Sequence, residues 1–290
     1  MTRNEAIAEF LRTGDWDPMY AAWPGSLMER AHRGHDELVD ALLAEVRARA
    51  AGKGWGDAVE VPDDMRSYTR AIVEPMVRGL FAKAEHEPIL ALLERSVVLV
   101  TDDTIEPIIR ELGWLSTAWK LANLYLASIG VEVIAEGEDG HVGLSENLLC
   151  YVTPEYFERR APFVDYVLHE CAHVLHDAKL ERISLRTTRT RERLVELEFR
   201  ERETFAYSCE AFATVGAGRS SAERAELAAA FRERRPYPKG AVDVAKVEAI
   251  VSDAAPMRNG WKHVLERCAP ATPPRYRISR PRHGAARSAP

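Results

Sequence analysis

The sequence predicts an α+β fold that is mainly helical and has a small sheet beside one central helix. Apolar residues recur at helical spacing over most of the chain, β-branched runs are confined to its middle, and one apolar helix carries two histidines and a glutamate. The chain has 290 residues, 46% of them hydrophobic, so a sizeable core is possible. We predict a helical N-terminal region (1–95), a core (96–268) and a disordered basic tail (269–290).

The N-terminal region is predicted to consist of helices that carry no catalytic residues. Apolar residues at helical spacing indicate a helix over 26–51, and the glycine-rich segment 52–57 ends it. A second helical stretch covers 63–95. We expect Pro75 and Pro88 to kink or divide it, because proline removes a backbone donor and clashes with the preceding turn.

A small sheet is predicted ahead of the central helix. The segments 96–101, 131–137 and 142–154 have the β-branched density or the alternation that is typical of strands. A helix ending at Ala127 follows the first strand, and a turn at 138–140 joins the other two.

Helices are predicted for the rest of the core. The central helix is expected to begin near Pro162, because proline suits a first helical turn, and to continue to Leu180. A long helix over 190–214 follows it. Two further helices, over 221–235 and 241–266, complete the core.

Composition argues against several classes of protein. A net charge of −6 gives no general attraction to nucleic acid or to anionic lipid. The N-terminus lacks the apolar segment of a secretory signal, and no uncharged run reaches the roughly 20 residues of a membrane span. Because the four cysteines form no CxxC pair, we expect a reducing compartment, the cytoplasm. They are Cys150, Cys171, Cys209 and Cys268.

The central helix contains the motif HExxH, as His169-Glu170-Cys171-Ala172-His173. Residues four apart lie on one face of a helix, so both imidazoles can bind one ion. Glu170 is adjacent and can accept a proton from a water molecule held there. Because the flanking residues are apolar, these polar side chains would be costly to bury without a metal.

A catalytic zinc site takes three protein ligands, so a third is required. His176 lies on the same face but about 10 Å along the helix axis from His169, too far to share one ion. The metzincin pattern is excluded, because it needs glycine at 176 and histidine at 179, where the chain has His176 and Lys179. The remaining candidates are glutamates of the next long helix, Glu201, Glu203 and Glu210.

At these residues the chain resembles the zincin metallopeptidases that use a glutamate ligand, the gluzincin-like group. In that group a glutamate on a second helix, often within ExxA or ExxxD, completes HExxH. Glu203 begins an ExxA match that ends at Ala206, so the resemblance implies Glu203 as third ligand, with Glu210 next as a ligand or as a partner of one. The resemblance covers roughly residues 142–214. It implies a zincin-like core, one zinc ion per chain and a peptide or protein substrate.

The chain departs from the family at the residue that orients a histidine ligand. The family's aspartate four positions after the glutamate is Tyr207 here. Asp165 and Asp177, each four positions from a histidine of the motif, are the local candidates for this role.

An additional donor is expected to stabilise the oxyanion of the reaction. We consider aromatic and imidazole side chains for this role, and we name Tyr207 as the catalytic candidate beside Glu170. The full set is Tyr207, Tyr151, His141 and His263. The strand over 142–154 stands where zincins bind an extended peptide along a sheet edge.

Two other functions are compatible with the sequence. The same metal chemistry would hydrolyse a non-peptide amide or ester. Alternatively, the histidines are structural and the chain is a helical interaction protein without catalysis. A variant of the peptidase hypothesis is one dedicated substrate, with the N-terminal region as recognition surface or lid.

Overall fold

The computed structural model of the chain describes most of its residues. These are 1–55, 59–134, 143–146, 148–158, 161–176, 188–195, 197–234 and 242–269. The predicted turn at 138–140, His141, Asp177 and all but the first residue of the predicted tail lie outside the described residues. The described part is mainly helical with a three-stranded sheet, which confirms the predicted α+β class.

Helices precede, interrupt and follow the sheet. Before and within the strand region they are α1 (Arg3–Thr13), α2 (Leu27–Ala50), α3 (Met65–Leu80), α4 (His86–Leu93), α5 (Ile105–Glu111), α6 (Leu115–Ser128) and α7 (Glu155–Glu158). A 3-10 turn, Lys83–Glu85, leads into α4. The later helices are α8 (Tyr166–Val174), α9 (Arg189–Val195), α10 (Phe199–Gly216), α11 (Ser221–Arg234), α12 (Val244–Ala254) and α13 (Gly260–Cys268). No helix within the described ranges is long and apolar enough to span a lipid bilayer.

The sheet has the order β1-β3-β2, with β1 (Val97–Leu99), β2 (Gly143–Glu146) and β3 (Leu149–Val152). Strand β3 is central, pairing parallel with β1 and antiparallel with β2. Successive side chains of a strand point to opposite faces. Accordingly, Cys150 and Val152 pack with α8 and α10, while Tyr151 packs with α2 and α6.

The buried apolar residues of the described ranges form two hydrophobic clusters, one on each side of the sheet. One joins α1, α2, α5 and α6. The other joins α3, α4, α8, α10, α12 and α13. Helices from before and after residue 95 therefore pack within both clusters, and the division predicted at residue 95 stays a prediction.

The stretch predicted over 63–95 is divided, but not at a proline. The break lies at Phe81–Ala82, and Pro75 is inside α3. An internal proline costs a helix about 3 kcal/mol. The fully buried Val73, Met76 and Val77 surround it, so packing of this face offsets that cost.

Three predicted long helices are each two helices, and the one expected over 241–266 is divided into α12 and α13. The helix expected to end at Ala127 is broken around Gly113, a residue with poor helix propensity. The helix expected over 190–214 is broken between α9 and α10 without any glycine or proline. Here Leu197 is buried at 2% exposure and Glu198 is extended, so burial of one leucine takes precedence over helical propensity.

The strand predicted over 131–137 is wrong for residues 131–134, which form no strand; the remaining residues of that segment are outside the described part. Side chains satisfy the backbone there instead. The Ile134 amide donates to Asn123 Oδ1 at 2.7 Å, and Arg49 donates to the carbonyls of Glu132 (3.1 Å) and Val133 (2.6 Å). These contacts take the place of the hydrogen bonds to a neighbouring strand that the apolar alternation predicted.

Candidate metal centre

The helix that carries the HExxH motif begins later than predicted. Asp165, in an extended conformation, caps α8: its Oδ1 accepts the Leu168 amide at 3.0 Å. The prediction of a start near Pro162 was therefore wrong, because a side-chain cap three residues later, at Asp165, satisfies a free amide at the start of the helix. The residues of α8 are otherwise mostly buried, with Val167, Cys171 and Ala172 at 0% exposure.

His169, His173 and Glu203 converge on one point between α8 and α10. The Nε2 atoms of the two histidines are 3.1 Å apart. Glu203 Oε1 lies 3.3 Å from His173 Nε2, and Glu203 Oε2 lies 3.7 Å from His169 Nε2. One ligand atom from each residue lies within 4.8 Å of the others, so this group can hold a metal ion.

The spacing of these atoms fits tetrahedral coordination. Ligand atoms at the zinc distance of roughly 2.0–2.1 Å are separated by about 3.3 Å along the edge of a tetrahedron. The Nε2–Nε2 separation of 3.1 Å and the separation of 3.3 Å between His173 Nε2 and Glu203 Oε1 are close to that edge, while the contact of 3.7 Å with His169 is made by the other carboxylate oxygen, Oε2. Two imidazoles and a carboxylate are also the donor set of a catalytic site that leaves a position for water.

Glu210 lies behind His169, on the opposite side of the ring from the nitrogen that faces His173 and Glu203. Its Oε2 is 3.6 Å from His169 Nδ1, and its Oε1 accepts the Asp165 amide at 2.6 Å. The side chain is only 3% exposed. Of the two glutamates considered for the third ligand, Glu203 reaches the converging point and Glu210 supports a histidine.

Asp165 was predicted as a candidate that orients a histidine of the motif directly, but its contacts are with other groups. Its carboxylate accepts the helix amide described above and the Tyr156 hydroxyl at 2.7 Å, while its backbone amide donates to Glu210. Asp165 therefore joins the start of α8 to α10 through Glu210. The other local candidate, Asp177, lies outside the described residues.

Tyr207 and Glu170 lie beside the converging ligands. The Tyr207 ring packs edge-on against His169, with centroids 4.4 Å apart. Glu170 is half-buried. Burial and nearby charges raise the pKa of Tyr207 on α10 and that of Cys150 on β3, and the Glu170 carboxylate is one of the smaller of these charges. Glu170 is thus within electrostatic range of both the ligand helix α10 and the sheet.

The other described candidates, Tyr151 and His263, are not among the converging residues. Tyr151 was a wrong candidate, because β3 turns its side chain into the cluster on the far face of the sheet. His263 lies on α13, and its buried Nε2 contacts no polar partner among the described residues. His141 is outside the described part. Tyr207 is therefore the candidate oxyanion donor that lies beside the site.

His176 is buried but does not join the ligands. Its Nδ1 donates to the Leu194 carbonyl at 3.2 Å, and its ring packs against Phe205 with centroids 5.0 Å apart. Burial, followed by the charge of His173, lowers its pKa to about 3. His176 is therefore held by a carbonyl and an aromatic ring apart from the converging atoms, as its distance along the helix predicted.

The side chains at the site are electrostatically coupled. Hydrogen bonds with His169 and His173 hold the pKa of Glu203 well below its usual range. Burial lowers the pKa of His169, but Glu203 and Glu210 outweigh it and raise that pKa to about 9. Burial raises the pKa of Glu210. Such a cluster can hold a cation, either a proton or a metal ion, because both use the same lone pairs.

One part of this arrangement has no signal in the amino-acid sequence. Tyr156 lies on α7, nine residues before Asp165, and nothing in its local pattern marks it as a partner of the site.

Comparison of the chain with known protein families, with characterised proteins and with solved structures gave no match.

Proposed function

We propose that the chain is a zinc-dependent metallopeptidase with a zincin-like core and one zinc ion per chain. The observation that carries the proposal is the convergence of His169, His173 and Glu203 within 4.8 Å. Two of these residues are the histidines of an HExxH motif, whose glutamate is placed for acid–base chemistry. Zinc is preferred because tetrahedral sets of imidazole and carboxylate donors suit it best.

Each residue has a distinct task in the proposed reaction. His169, His173 and Glu203 would hold zinc, which when bound supplies Lewis acidity that acidifies a water molecule and polarises a carbonyl group. Glu170 accepts the proton of the attacking water at its carboxylate and passes it to the leaving amine. Tyr207 is the proposed donor to the developing oxyanion, because its ring packs on His169 at a centroid distance of 4.4 Å.

The position of strand β2 supports a peptide substrate. β2 is at one edge of the sheet, and its Ser145 Oγ lies 3.3 Å from the Tyr166 hydroxyl of α8. A Cβ atom at Gly143 would lie 2.2 Å from the Tyr166 ring, so glycine permits this close approach of strand and helix. An extended peptide can add to such an edge by main-chain hydrogen bonds.

The cytoplasm is the compartment we propose. The four cysteines are free and buried, which suits a reducing environment. An excess of negative charge continues to argue against nucleic acid as a partner.

Activity of the Glu170→Gln protein is the test of this function. Zinc-loaded protein should cleave a mixture of unstructured peptides, and Glu170→Gln should retain zinc while losing turnover by roughly 10²–10⁴-fold, the range of a missing general base. Glu201→Gln is the matched control, because Glu201 is on the same helix as Glu203 but pairs with Lys246 at 2.6 Å.

Other outcomes separate the alternative functions. If the chain bound stoichiometric zinc and hydrolysed ester or amide compounds but no peptide, the proposed function would change from peptidase to another class of hydrolase. Absence of zinc binding in carefully prepared protein would instead support a helical interaction protein.

A further inference from the structure

A cavity of about 450 Å³ lies at the end of α10 opposite Glu203. Its walls come from the last turn of α3, the end of α10 with Phe212, α11 and the beginning of α13 with Trp261. This volume is within the range of roughly 300–1,000 Å³ that is usual for small-molecule sites. Its lining shares no residue with the candidate metal ligands.

Positive charge dominates the lining of this cavity. Arg78, Arg224 and Arg258 line it, and no carboxylate is among its described lining residues, although the chain carries a net charge of −6. We call it the arginine pocket. A concave surface with one sign of charge concentrates ligands of the opposite sign, so the pocket favours anions.

The three arginines differ in how freely they can bind a ligand. Arg78 is engaged by Glu74 at 2.5 Å. Arg224 is fixed by two carbonyls, since its Nε donates to Ala255 at 2.7 Å and one terminal nitrogen donates to Gly218 at 3.3 Å. Carbonyls leave its charge uncompensated and its other donors available.

Arg258 is exposed and forms no ion pair or hydrogen bond with the described residues. It lies in the segment just before the N-terminus of α13, whose first residues also line the pocket. The partial positive charge of a helix N-terminus adds to that of the arginine. Arg224 and Arg258 therefore supply the available donors.

An apolar wall stands beside these donors. The rings of Phe212 and Trp261 are perpendicular, with centroids 5.0 Å apart, and Met257 is exposed next to them. Glycines make room for the rings: a Cβ atom would lie 2.2 Å from Trp261 at Gly79 and 2.1 Å from Phe212 at Gly260. Such contacts would be severe overlaps, so the packing of this wall requires both glycines.

We propose that the arginine pocket binds a small organic anion. A phosphate or carboxylate group faces Arg224 and Arg258, and an apolar or aromatic body lies against Trp261 and Met257. Guanidinium groups recognise both anions through paired N–H donors, and the wall supplies the apolar contact. This site is separate from the metal centre and does not depend on the proposed hydrolase function.

Titration of the full-length chain with phenyl phosphate, benzoate, inorganic phosphate and the neutral benzyl alcohol tests the proposal, with binding measured by calorimetry. Phenyl phosphate or benzoate should bind saturably and more tightly than inorganic phosphate and benzyl alcohol. The tighter of the two aromatic anions identifies the preferred group. Arg258→Gln should weaken its binding about tenfold, as expected for one charge-assisted contact.

Two control variants make the result decisive. Arg219→Gln removes the same charge from a side chain that is 93% exposed and pairs with Glu223, so it should leave binding unchanged. His173→Ala removes a candidate metal ligand and should also leave binding unchanged, which excludes anion binding at a metal. Equal losses in Arg258→Gln and Arg219→Gln, a loss confined to His173→Ala, or no saturable binding of either aromatic anion would overturn the proposal.

Discussion

The carboxylate of Glu210 faces Nδ1 of His169 at 3.6 Å, while Nε2 of the same ring faces Glu203 at 3.7 Å. The imidazole is therefore held between two acidic side chains of one helix, seven residues apart. A carboxylate behind a histidine ligand fixes its ring orientation and its tautomer. In this chain the carboxylate in that position is Glu210, two turns after Glu203, and Tyr207 occupies the intervening turn.

Metal content should distinguish the two glutamates. Glu203→Ala is expected to lose stoichiometric zinc, because it removes a ligand atom from the cluster. Glu210→Gln should still bind zinc but with an affinity about 10–100-fold lower, the usual effect of removing a partner of a histidine ligand. Elemental analysis and competition with a chelating dye measure the two effects.

Glu201→Gln is the control for that comparison, and it should keep both stoichiometry and affinity. If Glu203→Ala kept full zinc and Glu210→Gln lost it, Glu210 would be the ligand and Glu203 the partner of the histidine.

Zinc should stabilise the fold against heat. A ligand that binds only the native state at 100 times its dissociation constant contributes about 2.7 kcal/mol. We expect a lower Tm after chelation and its recovery when zinc is restored, both measured by calorimetry. His173→Ala should show no such response. An equal response in that variant would mean that zinc binds elsewhere.

The Tyr156 hydroxyl should contribute to stability through Asp165. It donates to Asp165 Oδ1 at 2.7 Å, and hydrogen bonds to charged groups contribute about 1.5–3 kcal/mol. Tyr156→Phe should lower the free energy of unfolding in urea by this order. Tyr166→Phe, whose hydroxyl is 3.3 Å from the Ser145 hydroxyl, should have a smaller effect. A larger loss in Tyr166→Phe would contradict this account.

Replacement of Gly79 by alanine should destabilise the chain despite the better helix propensity of alanine. The new Cβ atom would lie 2.2 Å from Trp261 Cδ1, and overpacking of a core typically costs about 1–3 kcal/mol. Gly113→Ala is the control, because no atom lies within 4 Å of its Cβ position. Thermal denaturation compares the two variants. A Gly79→Ala protein as stable as wild type would show that Trp261 moves aside at little cost.

Helix type was more predictable than helix boundaries. The apolar spacing of α2 is a local feature, and the structure has the helix where it was predicted, at Leu27–Ala50, with Ser26 as its cap. The break at Leu197 has no local signal, because it follows from burying one side chain in a cluster formed by distant helices. The absence of a strand at 131–134 likewise depends on Arg49 and Asn123.

The sequence by itself determined that His169 and His173 share a helix face with Glu170 beside them, because the period of 3.6 residues is a local property. It also limited the third ligand to three glutamates of the next long helix. Only the tertiary structure decided that Glu203 meets Nε2 while Glu210 meets Nδ1, since that depends on how α10 packs against α8. The arginine pocket was equally invisible, because its charges come from segments that folding alone brings together.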